Sequence, residues 1–139
     1  MLFPTKVKYR KWQTARHNPK RVRNESRGRE LAFGAYGLKS LSPGRLKANQ
    51  LEAARKAITH ELKRAGKLWT RIFPDRPYTQ KPAEVGMGKG KGDPAGYEFV
   101  VWPGRIIFEL DGIEETAALQ ALRKGGSKLP LKTKIVVRR

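Results

Sequence analysis

The distribution of charge constrains this chain most, because the first carboxylate from the N-terminus is Glu25. The basic residues before it are Lys6, Lys8, Arg10, Lys11, Arg16, Lys20, Arg21 and Arg23. Tyr9 and Trp12 stand among these charges. We interpret residues 1–29 as a basic N-terminal arm, either a solvated tail or a segment that orders against phosphates while its aromatic rings stack. The interleaved aromatic side chains favour the second interpretation.

The whole chain repeats this imbalance, with 31 Lys and Arg against 12 Asp and Glu and a net charge of +19. No acid follows Glu115, although seven basic residues do: Arg123, Lys124, Lys128, Lys132, Lys134, Arg138 and Arg139. The hydrophobic fraction of 38% is enough for a core and argues against wholesale disorder. A compact domain of this charge repels itself, so we expect a large anionic partner, with nucleic acid favoured over a membrane surface.

Two helices are predicted from apolar spacing and end signals. The first has Leu51, Ala54, Ile58, Leu62 and Ala65 on one face and is expected to end at Gly66. Its opposite face carries Lys56, His60, Lys63 and Arg64, which are either merely solvated or in contact with phosphates. Glu52 is expected to pair with Lys56. The second helix is predicted over 114–124, ended by Gly125 and Gly126.

Strand-like runs account for most of the remaining pattern. They cover residues 31–41, broken by Gly34 and Gly37, and residues 67–73, 97–102, 105–110 and 131–137. Pro103 and Gly104 predict a type II turn, and with it a hairpin or a close relative of one. Pro74, Pro77 and Pro82 argue against helix or central strand after residue 73. The pattern predicts an α+β fold, with two helices on a largely antiparallel sheet, as a single domain over 30–139.

A Gly/Lys-rich loop, predicted over residues 83–96, has glycines at 86, 88, 90 and 92 and lysines at 89 and 91. Alternating glycines let backbone N–H groups approach a phosphate closely, and the lysines supply positive charge. The spacing matches neither the Walker loop nor the dinucleotide fingerprint, and Pro94 and Gly96 exclude a following helix. We predict a flexible, phosphate-seeking loop; the alternative is a plain mobile connection between strands.

The chain has few residues that could support catalysis or bind a metal ion. The chain has no cysteine, and its two histidines are His17 in the arm and His60 on the polar helix face. Neither belongs to a recognisable nucleophile and base arrangement. We therefore expect no enzyme activity, no cofactor and no metal site. No run of the chain approaches the length of a membrane span.

Several segments together resemble one protein family. They are Met1-Leu2-Phe3-Pro4 with Lys8-Tyr9-Arg10-Lys11, the segment 33–38, the run 63–75 and the loop 87–92, with support from 50–55 and 128–133. The chain resembles the universal large-subunit ribosomal protein numbered sixteen in the bacterial series. The resemblance runs in order from residue 1 to about residue 136, so the arm is not expected to be an appended transit peptide.

The resemblance implies a structural component of the large ribosomal subunit that binds its RNA beside the aminoacyl-tRNA site. Such a protein helps to position tRNA and supports late subunit assembly, while RNA performs the chemistry. The implied partners are large-subunit rRNA, tRNA in the aminoacyl and peptidyl sites, and neighbouring ribosomal proteins, with no membrane and no homo-oligomer. The implied location is the large subunit in the cytoplasm, with an organelle ribosome left open. A free DNA-compacting protein and a phosphate-loop enzyme are the alternatives.

The site residues fall into two groups. The expected rRNA-binding residues are Lys6, Lys8, Arg10, Lys11, Arg16, Arg55, Lys56, Lys63, Arg64, Arg71 and Lys132. The expected tRNA-facing loop consists of Met87, Gly88, Lys89, Gly90, Lys91 and Gly92.

The chain departs from the family pattern at a few positions. Gly86 stands where the family usually has an arginine that some bacteria hydroxylate, so that modification is excluded here. Lys47 replaces the usual Ser or Thr cap of the first helix, and Thr70 replaces an aliphatic residue. The Gly125-Gly126 pair predicts a shorter second helix than in relatives.

Overall fold

Seven strands and two helices follow the arm within the described residues, 1–14 and 18–138 of a computed structural model. In chain order they are β1 (Tyr36–Ser40), β2 (Gly44–Lys47), α1 (Ala48–Leu62), β3 (Lys67–Thr70), β4 (Arg76–Gln80), β5 (Asp93–Val101), β6 (Ile106–Asp111), α2 (Glu115–Gly126) and β7 (Thr133–Val137). Arg16, His17 and Arg139, which the sequence interpretation used, lie outside the described residues.

The strands form two antiparallel sheets, and each helix covers one of them. One sheet has the order β3-β6-β1-β7 and the other the order β2-β5-β4. Helix α2 contacts β1 and β7, helix α1 contacts β2 and β5, and the two helices pack against each other. The α+β prediction is therefore confirmed, with two smaller sheets in place of one. The apolar core lies between the helices and the sheets.

Helix α1 buries the stripe that its sequence predicts. Leu51, Ala54, Ile58 and Leu62 are all buried. The predicted end at Gly66 is wrong, because the helix stops at Leu62 and its C-cap Lys63 adopts the left-handed conformation, with φ 51°. At the other end, the side chain of Gln50 accepts the backbone N–H of the N-cap residue Lys47 at 3.0 Å, which is the half of a capping box that needs no Ser or Thr at the N-cap.

The glycines after each helix do not act as the predicted stops. Gly66 lies beside the end of β6, where a Cβ would come within 2.7 Å of the carbonyl oxygen of Asp111. Helix α2 continues through Gly125 and Gly126, so it is longer than predicted. A Cβ on Gly125 would lie 2.5 Å from Cγ1 of Ile58. The glycine is thus needed for close packing of α2 on α1 and not for ending α2.

The hairpin predicted around Pro103 and Gly104 is wrong, although the turn itself is present. Gly104 has φ 101°, and the N–H of Arg105 donates to the carbonyl of Trp102 at 3.2 Å, as a type II turn requires. However, β5 pairs with β2 and β4, whereas β6 pairs with β1 and β3. The N–H of Gly104 donates to Ser40 at 2.8 Å, so the turn leads the chain from one sheet into the other.

Several strand bounds also differ from the predictions. Strand β1 begins only at Tyr36, and β3 ends at Thr70. Strand β4 was not predicted; it contains Pro77 and lies at the edge of its sheet, where a missing N–H is tolerated. Strand β5 begins at Asp93, so residues 93–96 of the predicted loop lie in a strand and residues 81–92 connect β4 to β5.

Candidate nucleic-acid interface

The arm is held against the folded body at its C-terminal half by backbone hydrogen bonds. The N–H of Glu25 donates to the carbonyl of Pro103 at 2.9 Å, and the N–H of Ile106 donates to the carbonyl of Gly28 at 2.7 Å. At the other end, the α-amino group of Met1 lies 4.0 Å from the carboxylate of Glu52 on α1. The arm therefore contacts both the turn between the sheets and the first helix.

The predicted rRNA-binding residues of the arm are solvent-exposed where they are described. These are Lys6, Lys8, Arg10 and Lys11; Arg16 lies outside the described residues. Tyr9 and Trp12 keep 61% and 44% of their surface accessible, so aromatic faces stand beside the charges. Proteins that bind single-stranded nucleic acid combine exposed cations, which contact phosphates, with exposed aromatic rings, on which bases stack.

The connection over 81–92, hereafter the Gly/Lys loop, has an unusual backbone at its centre. Gly88, Lys89 and Gly90 have φ of 104°, 61° and 95°, three successive positive values. A Cβ built on Gly86, Gly88 or Gly90 would meet nothing within 4 Å, so solvent surrounds this stretch. Met87 is also fully exposed. The loop thus offers glycine backbone and charge to a partner that approaches closely.

The loop is joined to the arm through the side chain of Lys91 and is braced internally by that of Lys81. The ammonium of Lys91 donates to the backbone carbonyl of Trp12, and that of Lys81 donates to the carbonyl of Gly88. Arg76 of β4 strengthens the junction, because it donates to the carbonyl of Gln13 at 2.6 Å and lies 5.7 Å from the ring centroid of Trp12. Arm and loop therefore present a continuous surface, which we call the arm–loop surface. Lys89 projects from it as an exposed cation.

A second basic surface is the open groove between the helices, hereafter the helix groove. It has a volume of about 1170 Å³. Its charged lining consists of Lys56, Lys63, Arg64, Lys124 and Lys128, with His60 beside them. Two successive left-handed residues, Lys63 and Arg64 with φ 51° and 68°, form the groove's end at the C-terminus of α1. The groove brings together three of the predicted residues with two that the site prediction had omitted.

Little in the sequence indicates that two of the lysines, Lys124 and Lys128, line the helix groove. Lys124 and Lys128 belong to the acid-free C-terminal segment, but nothing in their spacing relates them to α1. Lys124 also pairs with Glu61 of α1, which lowers the pKa of that carboxyl through the hydrogen bond from the lysine. Lys132, which was predicted, is exposed but does not line the groove.

Two predicted rRNA-binding arginines are engaged by carboxylates of the chain. Glu52 pairs with Arg55 at 2.5 Å, so the predicted Glu52–Lys56 pair is wrong. This hydrogen bond lowers the pKa of Glu52 and raises that of Arg55. Arg71 donates to the buried Glu109 at 2.8 Å and keeps only 18% of its side chain accessible. Arg71 is therefore placed chiefly as an internal counterion.

Both carboxylate oxygens of the buried Glu109 accept hydrogen bonds. Its Oε1 accepts the backbone N–H groups of Ala32, Phe33 and Gly34 at 2.8, 3.1 and 3.3 Å. Burial by itself raises the pKa of this carboxyl, but the three N–H groups and Arg71 outweigh it, so the pKa is lowered. The carboxylate thereby fixes the chain where it leaves the arm and enters β1.

Other kinds of site have little support in residues 1–14 and 18–138. No group of three or more His, Asp or Glu side chains there could hold a metal ion. In the same residues, no helix combines the length and hydropathy needed to cross a bilayer. His60 lies among the lysines that line the helix groove.

One comparison with known families bears directly on these surfaces. The family model described as ribosomal protein L16p/L10e matches residues 4–136. The match includes almost all of the arm, the Gly/Lys loop and both walls of the helix groove.

Proposed function

Because this chain belongs to the ribosomal protein L16p/L10e family, we propose that the arm–loop surface and the helix groove bind large-subunit rRNA beside the aminoacyl-tRNA site. Membership makes the chain a structural, ribosome-associated protein of the large subunit, a type that is generally not enzymatic. Its association with rRNA and with other ribosomal proteins follows from that membership. The finer roles proposed here are tRNA positioning and support of late subunit assembly.

The junction between arm and loop is the observation that carries this proposal. Because the ammonium of Lys91 donates to the carbonyl of Trp12, phosphates that order the arm also fix the base of the loop. Lys89, at the loop's exposed centre with φ 61°, is left free to reach a second RNA. An arm joined in this way to an exposed cationic loop is suited to holding rRNA on one side and reaching tRNA on the other.

The basic residues are proposed to contribute differently to RNA binding because their surroundings differ. Exposed lysines of the arm and the helix groove neutralise backbone phosphates, which fixes position and carries little sequence information. Folded RNA is recognised largely by shape and by such backbone contacts. Arg55 and Arg71 contribute less to this contact because carboxylates already engage them. Residues 87–92 are proposed to face tRNA in the aminoacyl and peptidyl sites, and RNA performs the chemistry.

Sedimentation of a gently prepared lysate tests the proposal. At low salt the protein should travel with large subunits, and at high salt it should leave them, because phosphate contacts weaken as salt rises. Protein found wholly free at low salt would contradict a ribosomal role. Equal affinity for random duplex DNA and for large-subunit rRNA at matched salt would instead indicate a DNA-compacting protein. Sedimentation from fractionated cells also decides between cytoplasmic and organelle ribosomes.

A further inference from the structure

A second, smaller cavity lies between the arm and the three-stranded sheet, apart from the helix groove and adjoining the arm–loop surface at Arg76. Its volume is about 530 Å³, within the range of roughly 300–1,000 Å³ that small-molecule sites occupy. Its chemically distinctive lining consists of Arg23, Arg45, Arg76, Arg105, Phe99 and Trp102. The lining thus places four arginines and two aromatic rings around one cavity.

Two of the arginines lie over the two rings. The guanidinium of Arg23 lies 4.7 Å from the ring centroid of Trp102, and that of Arg105 lies 5.2 Å from the ring centroid of Phe99. A guanidinium stacked on one ring presents its second face and its donor edge to a further group. Unpaired RNA bases stack on aromatic rings and on arginine planes of this kind. The cavity therefore has stacking surfaces that are arranged before any ligand enters.

The charges of the cavity favour an anionic ligand. The buried Glu98 lies 3.3 Å from Arg45 and 3.9 Å from Arg76, so one carboxylate serves two guanidinium groups. Glu25 is the acid that the lining itself contains, and it accepts the N–H groups of Ser26 and Arg27 at 3.0 and 3.3 Å. Glu25 in the lining and Glu98 behind it are already engaged and are outnumbered by the four arginines, so the cavity is cationic overall.

Arg105 has hydrogen-bonding capacity that its described neighbours do not use. Its Nε is buried and has no hydrogen-bond partner among the described residues. Its Nη1 reaches the carbonyl of Arg27 only at 3.4 Å. A buried polar group without a partner is rare in native proteins, and a functional role or a bound water or ion is among the explanations for one. The arm residue Gly28 leaves room for this side chain, since a Cβ there would lie 2.9 Å from Nε.

We propose that this cavity, hereafter the nucleotide cavity, binds one unpaired nucleotide of RNA. The base would stack on the arginine planes, and the guanidinium edges would hold the flanking phosphates. The proposal rests on the proposed function, because it assigns a particular contact within rRNA binding. A duplex is too wide to enter a cavity of 530 Å³. A free phosphate would leave the stacking surfaces of Arg23 and Arg105 unused.

Fluorescence of Trp102 provides the direct test, in a chain whose other tryptophans are changed by Trp12→Phe and Trp69→Phe. The probes are single-stranded oligoadenylate of about six nucleotides, the same strand with abasic positions, a blunt RNA duplex, and AMP. Oligoadenylate should quench Trp102 saturably, and the abasic strand should bind about tenfold more weakly, because each stacked base contributes about this much. AMP that binds as tightly as the strand would overturn the assignment to RNA.

Substitutions in the cavity separate this contact from general RNA binding. Arg105→Gln and, independently, Arg23→Gln should each weaken oligoadenylate binding about tenfold, since each removes a charge-assisted bond and a stacking plane. The matched control is Arg123→Gln, which removes an exposed charge of α2 outside both cavities and should change affinity less than about twofold. Arg23 lies in the arm, so its substitution tests the cavity even where Arg105→Gln impairs folding.

Filter binding of full-length large-subunit rRNA distinguishes failure of the cavity from failure of the ribosomal role. Retained rRNA with an unquenched Trp102, or equal effects of all three substitutions, would overturn the nucleotide cavity alone. No retention of either RNA by the unaltered protein would overturn the proposed function as well.

Discussion

Glu109→Gln should destabilise the protein strongly at neutral pH because it removes the charge that the surrounding groups are arranged to receive. The carboxylate is fully buried, accepts three backbone N–H groups and lies 2.8 Å from Nη1 of Arg71. Removing one partner of a buried ion pair costs about 3–5 kcal/mol, because the other charge is left uncompensated. In a domain of this size each kcal/mol lowers Tm by about 3–4 °C, so we expect a loss on the order of 10 °C.

The pH dependence gives this prediction a definite sign. The pKa of Glu109 is lowered in the folded protein, so its contribution is present above the unfolded-state pKa of about 4.3. That contribution is lost as the pH falls through the folded-state pKa. Thermal unfolding followed by circular dichroism should therefore show a large difference between wild type and Glu109→Gln at pH 7. The difference should shrink as the pH falls below about 4.

Two further variants make the test of Glu109 specific. Glu84→Gln changes an exposed glutamate of the Gly/Lys loop and should alter stability by less than about 0.5 kcal/mol. Arg71→Gln combined with Glu109→Gln should cost less than the sum of the single changes, because the two side chains interact directly. A Glu109→Gln protein that melts within about 2 °C of wild type at pH 7 would refute the reasoning, as would a difference that does not shrink as the pH falls below about 4.

Four further changes test other parts of the structure. Removing residues 1–24 should flatten the salt dependence of rRNA affinity by about 0.7–0.9 of a log unit for each phosphate that these residues neutralise; in filter binding across a salt series, an unchanged slope would mean a solvated tail. Lys89→Ala with Lys91→Ala should impair tRNA binding to gradient-purified subunits more than incorporation into them, and equal impairment of both would make the loop an assembly anchor. Gly86→Arg should keep the wild-type Tm, because a Cβ there meets nothing within 4 Å, and should steepen the same salt slope by about 0.7–0.9; a clearly lower Tm would show that the position is confined. Gly125→Ala should lower the free energy of unfolding by about 1–3 kcal/mol, because its methyl would lie 2.5 Å from a side-chain carbon of α1; urea unfolding unchanged from wild type would show that the helices separate freely.

Local patterns in the sequence were sufficient to predict the helices and the Pro-Gly turn. The stripe of Leu51, Ala54, Ile58 and Leu62 predicts α1 because side chains three and four positions apart share a helix face. The turn at Pro103 and Gly104 is likewise a property of adjacent residues. The pairing of the strands on either side of the turn is not local, since β6 pairs with β1 and β5 with β2, each dozens of positions away along the chain.

The parts of the site that were predicted likewise depend on local sequence patterns, whereas the parts that were missed depend on contacts between distant residues. Clusters of charge along the chain identified the arm and the Gly/Lys loop. Arg71 was predicted to bind RNA because its charge is visible in the sequence, whereas Glu109, its buried counterion, is 38 positions away. The nucleotide cavity joins Arg23 of the arm to Arg105 after the turn, and only the fold brings these residues together.

A cryo-EM map of purified large subunits that contain this protein tests the central claim most directly. The claim is that the arm–loop surface is one RNA-binding surface, with the arm on rRNA and the loop directed at tRNA. We predict density for residues 1–29 packed against rRNA phosphates, with residues 87–92 extending toward the aminoacyl-tRNA site. An arm that projects into solvent, with the loop facing away from the tRNA sites, would contradict it.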